Sequence, residues 1–354
     1  MEIFKEIARL LSDNISIVTV TVFTVAGSAP RGAGAKMIVL PDGSIKGTIG
    51  GGRLEADAMQ LASGVFKTRS SLVRKFSLTG NDAANMGMIC GGAGEFLVDY
   101  IDAADPLNLE IYREIINVQN SRGKAWLITA VGTTEQTRNL RQQCLVKQDH
   151  TITGKADFDR EFLVKLIHGP ARISIHSEVF NDRRLLLEPV RNRSTLFLYG
   201  AGHVAQKIAE IANIVGFRTV VIDDRAEYAN SFRFPSSELV VPGTFDDPLP
   251  ELPYDADSYL AIVTRGHMYD KTILGQVLDK PVAYIGMIGS RAKRAATYKS
   301  LAEEYGYGNA DFARVHSPIG LDIKAESPEE IAVSVVAELI QVRAEREKCA
   351  TGKK

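Results

Sequence analysis

The sequence predicts an α/β protein, with a parallel sheet in its C-terminal part and a mixed α/β domain before it. Three observations predict this. In residues 195–225 two apolar runs, 196–199 and 219–222, flank a helical pattern. Beyond that stretch, apolar runs keep alternating with helical segments, as crossovers in a parallel sheet require. Early in the chain, β-branched runs alternate instead with glycine-rich loops and one hairpin signal.

Residues 195–225 organise the rest. The first apolar run turns through Gly200-Ala201-Gly202 into a helix on which Val204, Ile208, Ile211 and Val215 share a face. Gly216 stands where a helix C-terminal cap is expected. The second run ends at Asp223-Asp224. Gly200 suits a tight turn. Gly202 lets backbone N–H groups reach a pyrophosphate at the helix N-terminus, and Ala205 fills the third fingerprint position. Asp223 is placed to accept a ribose hydroxyl. Strand, turn, helix and acidic residue together predict a Rossmann-like unit. The same unit without a ligand would be a scaffold only.

The 354 residues suffice for two domains with their own cores. A net charge of −1 argues against a dedicated nucleic-acid binder. The N-terminus lacks a signal-peptide pattern, and no apolar stretch is long enough to span a membrane. Cys90, Cys144 and Cys349 are few and far apart, which fits the cytoplasm and no disulfide framework. No CxxC or HExxH motif points to a metal.

In chain order, residues 1–12 predict an amphipathic helix and 15–25 a strand. A glycine-rich loop containing Arg31 follows. Strands at 37–40 and 45–49 flank the turn Pro41-Asp42-Gly43-Ser44. Gly50, Gly51 and Gly52 lead through Glu55 into a helix. The hairpin puts both glycine-rich loops at one end of its sheet. There they could approach a ligand, with Arg31 as a bidentate donor, or serve only as tight turns. Cys90 lies in a third glycine-rich segment, whose N–H groups would favour a thiolate; a buried small hydrophobe is the plainer reading. A strand at 96–101, a helix from Asp105-Pro106, strands at 126–131, 171–175 and 185–190, and a helix at 157–167 complete a domain spanning residues 1–190. Residues 191–194 read as a linker.

In the second domain, 194–345, strands are expected at 238–241, 259–264 and 282–287. The middle one runs into Arg265-Gly266-His267, then a helix from about Asp270. The last runs into Ile288-Gly289-Ser290-Arg291 and a helix with Arg291, Lys293 and Arg294 in its first turn. Cations there oppose the helix dipole, which a bound anion would reverse. Ser327-Pro328-Glu329-Glu330 is a capping-box helix start, and residues 346–354 read as a flexible tail.

These pieces, in order, resemble the XdhC/CoxI family, the xanthine dehydrogenase accessory factors. They are Gly27 through Lys36, Gly47 through Glu55, Cys90-Gly91-Gly92, Tyr199 through Ala205, Ile288 through Arg291, and Ser317 through Ile323. The resemblance covers both domains. It implies a maturation chaperone more than a catalyst: a protein that binds molybdenum cofactor (molybdopterin), shields it during sulfuration and passes it to a xanthine dehydrogenase-type molybdenum hydroxylase. A cysteine desulfurase and a homodimeric state are implied with it. Three scattered cysteines cannot ligate two iron–sulfur clusters, so the chain is not the hydroxylase alone.

On that reading Gly200, Gly202 and His203 hold phosphates, with Asp223 on a ribose. Arg225, Arg265 and His267 lie beside them, and Gly289, Ser290 and Arg291 offer a second anion site. Cys90 is the soft contact to molybdenum or its sulfur. Arg31, Gly51, Gly52 and Glu55 are secondary contacts. The alternative is an NAD(P)-dependent oxidoreductase resting on the fingerprint and Asp223, with only His203 and His267 as acid/base candidates.

Overall fold

The computed structural model describes residues 3–27, 31–77, 92–121, 123–137, 139–168, 175–190, 192–245 and 251–351, without the side chains of 267, 268 and 347–351. Cys90 and the expected strand at 171–174 lie outside the described residues. The chain forms two compact units, Met1–Asn192 and Arg193–Lys354.

The first unit runs α1 (Ile3–Ser12), β1 (Ile17–Ala26), β2 (Lys36–Val39), β3 (Ile45–Gly47), α2 (Gly52–Thr68), β4 (Leu72–Ser77) and β5 (Ala93–Ile101). It continues α3 (Pro106–Asn120), β6 (Ala125–Gly132), β7 (Arg141–Lys147), β8 (Ile152–Lys155), α4 (Arg160–Ile167), β9 (His176–Phe180) and β10 (Arg183–Val190). The strands make two antiparallel sheets, ordered β3-β2-β1-β5-β4 and β8-β7-β6-β10-β9. The second order repeats the first.

One core joins the two sheets. Ile17, Ile38 and Ile101 of one pack with Leu127, Leu145 and Val190 of the other, beneath α1 and α3. A polar seam runs beside it. Lys36 Nζ meets Glu188 at 3.0 Å. Arg141 donates to both carboxylate oxygens of Asp99, at 3.0 and 3.1 Å, and to Asn108 at 2.8 Å. Buried charges of this kind are tolerated only because each finds its partner.

The second unit runs β11 (Thr195–Tyr199), α5 (His203–Ile214), β12 (Arg218–Ile222), β13 (Glu238–Val240), β14 (Ser258–Ile262), α6 (His267–Val277) and β15 (Tyr284–Met287). Then come α7 (Arg291–Tyr305), α8 (Asn309–Phe312), β16 (Val315–His316) and α9 (Pro328–Thr351). All strands are parallel, in the order β13-β12-β11-β14-β15-β16. The central strands are buried along their whole length, because helices cover both faces. Ala205, Ile208 and Ala212 of α5 with Val335 and Leu339 of α9 cover one face. Ile273 and Leu274 of α6 with Leu301 of α7 cover the other. Each fully buried leucine or isoleucine here contributes about 1.5–3 kcal/mol.

The α5 face differs from the expected stripe. Ala205, Ile208, Ala209 and Ala212 are buried, while Val204, Ile211 and Val215 pack at its flank. Alanines let the helix axis approach the sheet, which rotates the buried face toward them. α9 continues to Thr351, so residues 346–351 are helical rather than a tail, and Arg346 Nη2 donates to the Ala256 carbonyl at 2.7 Å. Among the described residues no helix is long and apolar enough to cross a membrane.

Candidate functional site

The loops after β11, β12, β14 and β15 all leave the carboxyl edge of the parallel sheet. The chain lays down β11 to β13 in one direction and β14 to β16 in the other. The strand order therefore reverses between β11 and β14, where open α/β sheets bind ligands. Gly200 and Gly202 stand at that point for different reasons. Gly200 has φ +111°, and a Cβ on it would lie 2.5 Å from the Val263 carbonyl oxygen. The fold demands it. Gly202 has φ −71°, and a Cβ on it would meet nothing within 4 Å. No described neighbour requires it to be glycine.

Gly202 is the N-cap of α5 and Gly266 the N-cap of α6, and neither gives a side-chain acceptor to the first turn. The glycine N-caps thus give the leading N–H groups of both helices no side-chain acceptor, at one edge of one sheet, where such groups suit an anion. His203 is exposed on the first turn of α5. α6 begins at His267, not near Asp270, because Gly266 takes the cap; the His267 side chain lies outside the described residues.

Asp223 is not free for a ribose. Its side chain is 2% exposed. One oxygen accepts from the Ala201 N–H at 2.7 Å and Arg225 Nη2 at 3.1 Å; the other accepts from Arg225 N at 3.0 Å and Nε at 2.9 Å. The expected ribose contact gives way to a clamp that closes the Gly200 turn against the end of β12. Burial pushes this carboxyl up, but Arg225 and the two backbone N–H groups outweigh it and hold it below the ordinary aspartate value. Its stabilisation is therefore present above the unfolded aspartate pKa and is lost as pH falls through the folded one. Asp223→Asn is expected to lose about 2 kcal/mol at neutral pH, read from urea midpoints, with the deficit closing in acid.

The arginines form the rim. Arg225 stacks on Tyr228, its guanidinium 3.8 Å from the ring centre. Arg265 pairs with Asp224 at 2.8 Å. Arg233, which no sequence signal marked, lies across the other contact of Tyr228 and donates to the Ala201 carbonyl at 3.0 Å. Asp224 Oδ1 and Arg233 Nε are buried there without a hydrogen-bond partner among the described residues.

At the β15 loop, Ser290 caps α7 by accepting from the Lys293 N–H at 3.2 Å. Two of the three cations expected to await an anion have partners inside the fold. Lys293 pairs with the fully buried Asp270 and reaches the Ile288 carbonyl, and Arg294 donates to the Ser317 carbonyl at 2.6 Å. Gly289 lets Lys293 pass, since a Cβ there would lie 2.6 Å from Lys293 Cδ. Thr264 donates to the other oxygen of Asp270 at 2.5 Å. Arg291 stays exposed at the N-terminus of α7.

In the first unit, Glu55 builds the turn expected to use it as a ligand contact. One of its oxygens accepts from the Thr48 hydroxyl and from the N–H groups of Ile49 and Gly51, both at 3.0 Å. Gly50, Gly51 and Gly52 all have positive φ, at +134°, +76° and +61°, so this run is required by the backbone. Arg31 is exposed. Cys144 is buried, which pushes its thiol up to about 12 and leaves it inert.

Fold and edge define the class: a two-unit protein whose second unit is a Rossmann-type domain. The XdhC Rossmann domain matches residues 196–339, and the XdhC and CoxI family matches residues 10–77. The chain belongs to the XdhC/CoxI family. It is 28% identical to a Bacillus subtilis protein named as a probable subunit of xanthine dehydrogenase, covering 94% of this chain and 95% of that one. It is 26% identical to "Uncharacterized protein YqeB" of Escherichia coli over 97% of this chain, and spans 46% of that longer protein. It is 22% identical to the E. coli "Molybdenum cofactor insertion chaperone PaoD", covering 93% of this chain and 84% of that one. A solved structure of a xanthine dehydrogenase from Bacillus halodurans shares the fold, with TM-score 0.79 at 24% identity over 98% of this chain and 97% of that one.

Proposed function

We propose that this chain is an accessory protein of molybdenum enzymes, binding molybdenum cofactor and delivering it to a xanthine dehydrogenase-type hydroxylase. The observation that carries the reading is Gly202. It is a glycine with open space where a side chain would stand, at a helix N-terminus without a side-chain cap, at the switch point of the sheet. A ligand phosphate would seat in that space against the leading N–H groups. Family membership and a relative named as a cofactor insertion chaperone support the rest.

The residues present fit such a group. Gly202, His203 and the first turn of α5 would hold a phosphate. Ser290 and Arg291 offer a second anionic contact, and Arg225, Arg233 and Arg265 line the approach with charge. The bound cofactor supplies redox chemistry to its client; this chain's part is to bind, orient and release it. The oxidoreductase alternative leaned on Asp223 as a ribose acceptor, and both oxygens of that residue are engaged.

The test is purification without air from cells that make the cofactor, followed by pterin and molybdenum assay beside NAD(H) and NADP(H) titration. Wild type is expected to carry pterin. Gly202→Val should fold, at a cost of about 1 kcal/mol as a poorer N-cap, and lose most of that pterin. Cys90→Ser should retain pterin and lose molybdenum or sulfur. Tight nicotinamide binding without pterin would sink the proposal.

A further inference from the structure

Two histidines of the first unit face one another, away from every residue discussed above. His150 lies in the turn between β7 and β8, and His168 caps the C-terminus of α4. Their Nε2 atoms are 3.4 Å apart, with ring centres at 4.9 Å and ring planes at 69°. His168 Nδ1 lies 2.9 Å from the Val164 carbonyl oxygen. A carbonyl only accepts, so in the neutral ring Nδ1 carries the hydrogen and Nε2 keeps its lone pair. This is how a metal-ligating imidazole is usually oriented.

At 3.4 Å the two nitrogens stand at the outer limit of a hydrogen bond. With metal–nitrogen bonds of about 2.0–2.1 Å, a tetrahedral angle separates two ligand nitrogens by about 3.3–3.4 Å, whereas a right angle gives about 2.9 Å. The observed 3.4 Å matches the tetrahedral separation and not the right-angled one.

The chain contains its own control for the placement of His150. The β2–β3 turn has the same bonds: Leu40 N to Ser44 O, Gly43 N to Leu40 O and Ser44 N to Asp42 Oδ1, each 2.9 Å. In the β7–β8 turn, Lys147 N to Thr151 O, His150 N to Lys147 O and Thr151 N to Asp149 Oδ1 are also 2.9 Å each. Gly43 has φ +83° and His150 has φ +67°. The first turn uses glycine at its left-handed position, and the second carries a histidine where that conformation costs a non-glycine residue about 1 kcal/mol.

We propose that His150 and His168 form a two-imidazole site for a tetrahedral divalent cation, zinc foremost, which clips the β7–β8 turn to the end of α4. Among the described residues no third ligand completes a closed site, so water fills the remaining positions. Such a site is open and weaker than a four-ligand one. Both rings must be neutral to bind, so binding weakens in acid.

The test uses untagged full-length protein, stripped with a chelator and titrated with Zn2+ by calorimetry, with Co2+ as the optical probe. His150→Gly is the key variant, because glycine suits the backbone and preserves the turn. His168→Ala is the second. Wild type should bind zinc with a rise in Tm and give the intense visible bands of tetrahedral Co2+. Each variant should lose affinity at this site by about tenfold or more, and its Tm should stop responding to zinc. Octahedral Co2+ bands, no zinc binding by wild type, or an unchanged affinity and Tm response in both variants would overturn the site.

Discussion

Gly200→Ala is expected to cost about 2–4 kcal/mol of stability, seen as a large fall in the urea midpoint. The added Cβ would lie 2.5 Å from the Val263 carbonyl oxygen and 2.9 Å from its carbon. Val263 cannot retreat cheaply, since its N–H donates to the Tyr199 carbonyl at 2.8 Å. The backbone at φ +111° adds strain of its own. Gly202→Ala, two residues on, should cost under about 1 kcal/mol, the difference between glycine and alanine as an N-cap. Equal losses in the two variants would refute the division between a glycine hemmed in by the fold and one with open space around it.

Lys293→Met is expected to cost about 3–5 kcal/mol at neutral pH, because it strands a buried carboxylate. Asp270 is fully buried. Burial raises its carboxyl above the ordinary value, and Lys293 and Thr264 offset only part of that. Without the ammonium the folded pKa rises further. A group whose folded pKa is raised contributes stability below its unfolded pKa, which is lost as pH climbs through the folded one. The gap between wild type and variant should therefore widen as pH rises above the ordinary aspartate range and narrow on acidification. Asp270→Asn placed in the Lys293→Met background should recover part of the loss. A deficit independent of pH would show that Lys293 acts through packing alone.

The second unit was legible because its signals are local. A parallel sheet covered on both faces writes its strands as continuous apolar runs, and Gly200 to Ala205 mark the first crossover. What stayed hidden depended on partners distant in sequence. Lys293 and Arg294 read as cations awaiting an anion, yet Lys293 belongs to Asp270 and Arg294 to the Ser317 carbonyl. Asp223 stood where a ribose acceptor belongs, but Arg225 and the Ala201 N–H take its oxygens. In the first unit β7 escaped notice because it buries Gln143 and most of Arg141 in the polar seam, which breaks the apolar pattern of a strand. β4 and β9 are edge strands with half-exposed polar residues, and they write only a weak alternation.

The first unit writes one topology twice in tandem: helix, three strands, helix, two strands. The two copies differ in what they carry. In the later copy Asn181 and Asp182 alone join the last two strands; in the earlier one residues 78–92, which include Cys90, stand between the equivalent pair. The loops matching the glycine-rich 27–35 and 48–51 are residues 133–140 and 156–159, and they contain no glycine. The two halves thus share an architecture while differing in the loops that join their strands and helices, so the glycine-rich turns of the earlier half are not a requirement of the repeated topology.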